Sequence, residues 1–363
     1  MIITDFTLYR TTLRCKKPFH IATLSVFVNR GLLLELRTDD GLIGWGEATP
    51  GPSITGESVE GCIHAIRNIL MPAIVGLNPF EIEEAHRRME ERLSGNPSAK
   101  CAVDLALHDL AGKRSGQPVV RMLGGTLGSV ATNYSIGLST PEEAAREAAE
   151  LCSEGYAAIK LKVGSDPEQD VRRVAAVRGA VGSGVALRLD ANEGWQPPQA
   201  AWALKRMEPY DVELCEQPLE RGQWAACAEL RRQTSIRLAG DESIHTHQDA
   251  LLSIQMGAFD VFNLKLMKSG GLWPLRRLVA LARDNGILLM MGGMVGESSL
   301  GVTAAASLAH ASRFEFADLD ADLLLADTLA TPALPLCDGR RVLSEEPGLG
   351  SSELDPQYLE RLQ

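Results

Sequence analysis

The sequence lacks the continuous apolar run that a secretion signal needs, because Met1 to Leu13 is interrupted by polar and charged residues. It also lacks any stretch of about 18 uninterrupted apolar residues, so no membrane span is expected. Basic charge is in deficit: 36 Lys and Arg against 47 Asp and Glu give a formal net charge of -11, which argues against nucleic acid and anionic membranes as partners. The seven cysteines are odd in number and scattered, with no Cys-x-x-Cys pair to suggest a zinc site or redox motif. They read as reduced, mostly buried thiols, and a cytoplasmic location is expected.

What is present is a chain of 363 residues, 45% hydrophobic and 23% charged, enough for a large core in two domains or in one barrel with additions. Ile2 to Leu8, Gly31 to Arg37 and Leu42 to Glu47 read as strands, the last two joined by a turn at Asp40-Gly41. Residues 49–58, TPGPSITGES, have the composition of a loop and suit a mobile lid. Helical periodicity then runs from Val59 to Leu110 and stops at Gly116-Gln117-Pro118.

After Gly124-Gly125 short apolar strands alternate with amphipathic helices. The predicted strands are Ala131–Ile136, Ala157–Lys162, Ala186–Asp190, Val212–Glu216, Arg237–Ala239, Asp260–Lys265, Ile287–Met291 and Phe314–Leu319. Their starts are separated by 23 to 29 residues, a repeat of βα units. Eight strands in such a run predict a parallel barrel, and no Gly-x-Gly-x-x-Gly follows the first strand to support a dinucleotide fold. The expected fold is α/β: a modified TIM barrel, (β/α)7β, over residues 126–324, with an α+β capping domain built from residues 1–125 and a C-terminal segment, 325–363, that returns to it.

Lys160 and Lys162 stand at i and i+2 on strand two and share one face. On an edge strand such lysines discourage aggregation; at a barrel mouth they face a site. The same phase of the repeat carries Asp190, Glu216 and Asp241 on strands three, four and five and Lys265 on strand six. Active sites of these barrels lie at the C-terminal strand ends. Three crowded carboxylates need a neutralising cation, and an oxygen-only ligand set favours Mg²⁺, with Mn²⁺ the alternative. Strands two and six are diametrically opposed in an eight-stranded barrel, so Lys162 and Lys265 are expected on opposite faces of a metal-chelated substrate. That arrangement suits moving an α-proton from one face of a carbon to the other, with Lys160 adding positive charge beside the developing enediolate.

Taken together, Lys160-x-Lys162, Asp190-Ala191-Asn192, Glu216-Gln217-Pro218, Asp241-Glu242-Ser243 and Asn263-Leu264-Lys265 resemble the enolase superfamily in its muconate-lactonising subgroup, over essentially the whole chain. The resemblance implies Lys162 and Lys265 as bases, Lys160 as their electrostatic neighbour, Asp190, Glu216 and Asp241 as ligands of one Mg²⁺, and Asn192 and Glu242 as supports around them. Relatives that dehydrate sugar acids carry a histidine at the end of strand seven, where this chain reads Leu289 to Gly293. His245 and His247 are expected in an exposed loop or helix start. Asp318 and Asp320 resemble the Asp-x-Asp with which dipeptide epimerases bind the substrate's α-ammonium; Ser135 and Glu297 are further expected substrate contacts.

One departure concerns specificity. Epimerases acting on Ala-Glu carry an arginine after a Lys-Pro-Phe-x-x-Ala stretch, and here Lys17-Pro18-Phe19-His20-Ile21-Ala22 is followed by Leu24 at that place. An L-Ala-L-Xaa dipeptide with a neutral, hydrophobic C-terminal residue is therefore the expected substrate. Gly296 looks like an extra residue in the wall near strand seven. The alternatives are o-succinylbenzoate synthase, N-acylamino acid racemase or muconate cycloisomerase chemistry on the same lysines, and more remotely a non-catalytic binding barrel. A symmetric homo-oligomer is expected on general grounds.

Overall fold

The computed structural model describes residues 1–22, 24–331, 334–350 and 353–362. The chain begins with an antiparallel sheet whose strands, Ile3–His20, Ser25–Thr38 and Ile43–Ala48, are longer than the apolar alternation predicts. Arg14 to His20 and Ser25 to Arg30 extend the first two into a hairpin whose polar, largely solvated faces carry no hydrophobic period. The Asp40-Gly41 turn is where the sequence puts it, with Gly41 at φ +82° and the Thr38 hydroxyl accepting from Leu42 N–H at 3.1 Å. Against the third strand lies the helix Pro97–Ser115, ended by Gly116 in the left-handed region at φ +65°. A Cβ at Gly46 would overlap the Ala102 carbonyl oxygen, so glycine here sets how closely strand and helix approach.

The second layer is a modified (β/α)7β barrel. Its eight strands, here barrel strands one to eight, are Tyr134–Ile136, Ala158–Lys162, Ala186–Asp190, Val212–Glu216, Arg237–Gly240, Val261–Leu264, Leu288–Met291 and Phe316–Ala317, in sequential order. Strands three and four fall on their predicted bounds. The predicted first strand divides instead: Ser129–Ala131 leaves the barrel to pair antiparallel with Arg340–Val342 of the tail. Strand eight is only two residues long, and the seam with strand one is closed largely by side chains. Asn133 N–H donates to the Ala317 carbonyl at 3.2 Å, Leu319 N–H to the Thr132 hydroxyl at 2.8 Å and Ser135 N–H to Asp320 Oδ2 at 2.6 Å. Carboxylate and hydroxyl groups satisfy backbone donors that a regular ladder would have paired.

The tail runs first along the barrel and then, as Leu359–Leu362, pairs antiparallel with Leu8 to Thr11 of the cap sheet. Two acids of the cap also tie it to the barrel. Glu47 accepts from Ser298 N–H (2.8 Å), the Ser298 hydroxyl (2.8 Å) and Gly301 N–H (3.0 Å), at the N-terminus of the helix Ser299–Ala311. Asp104 accepts from Leu272 N–H at 2.6 Å, at the start of the helix Leu272–Asp284, and from His86 Nε2 at 2.7 Å. Buried carboxylates at helix N-termini satisfy orphan donors and complement the helix dipole.

Burial alone would raise Asp104, but His108 and His86 outweigh it and hold the carboxyl below its usual range. His108 is the reverse case: burial lowers it, and Asp104 overrides burial and raises it. The depressed acid contributes fully above its unfolded value and the raised histidine fully below its own, so the pair stabilises most between about pH 4 and pH 6.5. We expect His108→Gln to cost most stability in that window, with the cost shrinking as pH rises above it, measured by urea denaturation. A cost that is flat with pH would contradict this assignment.

Candidate active site

Parallel pairing sets the site in register. Lys162 pairs with Asp190, Asp190 with Glu216 and Glu216 with Ala239, and Asp241 follows two residues after Ala239. Successive strand ends therefore bring Lys162 and the three acids to one level of the barrel mouth, all of them buried. Lys162 Nζ lies 2.6 Å from Asp190 Oδ2 and 3.1 Å from Asn192 Oδ1. Lys160 Nζ lies 3.1 Å from Asp190 Oδ2, 2.9 Å from Glu216 Oε2 and 2.6 Å from Asp318 Oδ2. Across the mouth, Lys265 Nζ is 2.7 Å from Asp241 Oδ2. Asn192 Nδ2 donates to Glu242 Oε1 at 3.1 Å.

Burial pushes Glu216 up to about 8, with the Asp190 charge acting in the same direction. Burial would lower Lys265, yet Asp241 and then Glu216 outweigh it and hold the ammonium above its usual range. Lys160 is raised in the same way by Asp190, Asp318 and Glu216 against its own burial. Among the described residues, no group of three or more His, Cys, Asp or Glu is arranged to hold an ion as it stands, since lysine ammoniums occupy the inner oxygens. The donor set nevertheless fits a hard divalent cation. It is all oxygen, and Glu216 Oε2 and Asp241 Oδ2 are buried without a hydrogen bond, facing only lysines at ion-pair distance.

A cavity of about 210 Å³ opens above these groups, lined by Lys160, Lys162, Lys265, Ser135, Asp318 and Asp320 on the barrel side. On the cap side its walls are mostly apolar, with Phe19, Ile21, Leu24, Val26, Pro50, Pro52 and Ile54 interrupted by Asn29, Thr49 and Ser53, and Met294 and Val295 come from the loop after strand seven. Leu24 is thus at the pocket. Asp318 Oδ1 accepts from Asn133 Nδ2 at 2.6 Å and from Ser135 Oγ at 3.1 Å. Asp320 is pushed up to about 7, by burial first and the neighbouring Asp318 second.

Two expectations need correction, for Glu297 and His245. Glu297 does not line the cavity: its Oε1 accepts from Met294 N–H at 2.6 Å, and it braces the turn from behind. His245 is half-buried with Nε2 unpartnered, and burial pushes it down to about 4; His247 is exposed at a helix start, as expected. The segment 49–58 is anchored at its far end, where the buried Glu57 accepts from Ser98 N–H (2.9 Å) and Ala99 N–H (3.1 Å).

Residues 3–124 match the mandelate racemase / muconate lactonizing enzyme N-terminal domain, and residues 143–357 match the enolase C-terminal domain-like family. The chain belongs to the mandelate racemase and muconate lactonizing enzyme family of the enolase superfamily. It is accordingly an isomerase. It is 37% identical over 346 residues, 94% of this chain and 96% of the relative, to the hydrophobic dipeptide epimerase of Enterococcus faecalis. It is 35% identical over 315 residues, 86% of this chain and 85% of the relative, to the N-succinyl-L-Arg/Lys racemase of Bacillus cereus. The solved dipeptide epimerase of E. faecalis in complex with Mg and L-Leu-L-Tyr superimposes with a TM-score of 0.94 at 36% identity, covering 97% of this chain and 100% of that one.

In this member of the family, Lys268 carries no signal in the sequence, and Asn263 and Gln217, present there only as motif neighbours, have supporting roles of their own. Lys268 is fully buried and donates to Asp241 Oδ1 and to the Asp241 carbonyl, both at 2.5 Å, one helical turn after Lys265. Asn263 Nδ2 donates to Glu216 Oε1 at 2.8 Å. Gln217, at φ +36°, accepts from Asp241 N–H (3.0 Å) and Ser243 N–H (3.1 Å), and its amide donates to the Leu219 carbonyl (2.7 Å) and the Ser243 hydroxyl (2.8 Å). Gln217→Leu leaves those buried groups unpaired, and we expect a loss of about 3 kcal/mol in urea denaturation. A loss below about 1 kcal/mol would remove Gln217 from this role.

Proposed function

We propose that this chain is a Mg²⁺-dependent dipeptide epimerase acting on L-Ala-L-Xaa, with a neutral, hydrophobic Xaa as the residue inverted. The reading rests on one arrangement above all: Lys162, at the end of barrel strand two, and Lys265, just after strand six, line the same cavity together with Asp318 and Asp320. Lys162 removes the α-proton on one face of the C-terminal residue, and the Lys265 ammonium returns a proton on the other; the roles exchange for the opposite epimer. Asp190, Glu216 and Asp241 would hold Mg²⁺, which when bound supplies Lewis-acid charge to the substrate carboxylate. Lys160 adds a fixed positive charge within 3.1 Å of two of those acids, where the enediolate's negative charge develops.

Asp318 meets the Lys160 ammonium and the Asn133 amide, whereas the partner of Asp320 Oδ2 is the uncharged Ser135 N–H, which makes Asp320 the carboxylate better placed to take the dipeptide's α-ammonium. Leu24, Phe19, Ile21 and Val26 offer no cation to a glutamate side chain, whose burial there would go uncompensated. The relative named a hydrophobic dipeptide epimerase supports the same direction. A second reading, racemisation of N-acylamino acids, has its own support: Asp318 is already neutralised by Lys160, and an N-succinyl amino acid racemase is among the relatives.

A dipeptide library incubated with enzyme and Mg²⁺ in D₂O, read by mass spectrometry, is expected to show a single deuterium gained by Ala-Leu, Ala-Phe and their like. Exchange confined to N-acylated amino acids would favour the second reading. Leu24→Arg is expected to raise activity on Ala-Glu by about tenfold or more, the scale of one buried charge pair. High wild-type activity on Ala-Glu would defeat the specificity inference.

A further inference from the structure

One guanidinium joins the cap loop to the turn after barrel strand three. Arg221 Nε donates to Glu193 Oε1 at 2.9 Å, Nη2 to Glu193 Oε2 at 2.8 Å, and its own backbone N–H to Glu193 Oε1 at 2.8 Å. The remaining donors reach across to the cap, Nη2 to the Ser53 carbonyl at 3.0 Å and Nη1 to the Ile54 carbonyl at 3.4 Å. Ser53 and Ile54 both line the cavity.

The turn that Glu193 belongs to is strained and closely packed. Asn192 and Glu193 have φ of +41° and +67°, a region that residues with side chains adopt only where their surroundings enforce it. A Cβ at Gly164 would overlap the Ala191 carbonyl, and one at Gly194 would overlap the Gly164 carbonyl, so the turn lies directly against the chain leaving barrel strand two. Lys162 stands two residues before Gly164, and its Nζ donates to Asn192 Oδ1 at 3.1 Å. There is no slack between the turn and this lysine. Lys265 is held from a different direction, by Asp241.

We propose that Arg221 is a positioning residue for Lys162: it holds the Asn192-Glu193 turn in its left-handed conformation and, with the same guanidinium, fixes Ser53 and Ile54 over the substrate. The cap loop and one of the two bases are thereby kept in register by a single side chain. The inference rests on the two-base reading above and adds an asymmetry to it. Loss of the clamp misplaces Lys162 and leaves Lys265 where it is.

Turnover cannot report this asymmetry, because the overall equilibrium ties the forward and reverse values of kcat/KM together. Exchange of the α-proton with D₂O can. The two epimers of Ala-Leu are followed separately in wild type, Arg221→Ala, Arg221→Lys and Glu193→Gln, with Lys162→Ala identifying the epimer that depends on Lys162. Expected in Arg221→Ala and Glu193→Gln is a fall for that epimer about tenfold or more beyond the fall for the other, which loses only the cap-loop contact. Arg221→Lys keeps the charge but cannot span Glu193 and both carbonyls, so an intermediate fall is expected. Glu193→Gln preserves shape and tests the clamp if Arg221→Ala folds poorly. Equal slowing of both epimers, or of neither, would overturn the clamp while wild-type exchange upholds the epimerase. No exchange of either epimer by the wild type would instead sink the functional reading and the inference with it.

Discussion

Three carboxylates buried side by side at one end of a barrel repel one another, and the surrounding structure is arranged to hold that repulsion in check. Asp190, Glu216 and Asp241 meet four lysines, Lys160, Lys162, Lys265 and Lys268, within 3.1 Å. The desolvation of such groups is tolerated only where charge partners and hydrogen bonds are nearly complete. The Asn192 N–H, donating to Asp190 Oδ1, and the Asn263 amide, donating to Glu216 Oε1, add to them, and this polar chemistry is sealed beneath the cavity. Glu216 Oε2 and Asp241 Oδ2 are left without a hydrogen bond, each facing only a lysine at ion-pair distance.

The barrel also uses acids to close itself. Asp320 accepts the Ser135 N–H that a regular strand eight would have paired, and Asp318 draws in Asn133, Ser135 and Lys160. One short strand thus serves both as seam and as pocket wall. The cap is joined by the same means, with Glu47 and Asp104 seated at N-termini of barrel helices. Carboxylates placed on helix ends fix orientation more sharply than apolar packing does, since hydrogen bonds are directional. Leu24 and Ile54 are among the cap residues that line the cavity over this charged floor.

Much of this was legible in the sequence because the βα repeat has a fixed phase. Residues at the same point of each unit must arrive at the same end of the barrel, so Asp190, Glu216, Asp241, Lys162 and Lys265 could be grouped without coordinates. The Asp40-Gly41 turn and the Gly116 helix end were equally local, being set by backbone conformations that few residues adopt. The far part of the first hairpin, Arg14 to His20 against Ser25 to Arg30, was not legible, since its largely solvated residues show no apolar period.

Other features depended on contacts between residues far apart in the chain. The predicted first strand divided because the tail competes for Ser129 to Ala131, a pairing with residues some 210 positions away. Glu297 turned inward to a neighbouring N–H instead of the cavity, and His245 became half-buried, because turn geometry and packing decide where a side chain points. Lys268 and Arg221 sit in a short helix and a turn with no periodicity to mark them. The sequence by itself determined which chemical groups stand at the strand ends, through the constant length of a repeating unit. Only the tertiary structure decided which of those groups are paired and which are left facing the substrate, because hydrogen bonding and desolvation are properties of the assembled neighbourhood.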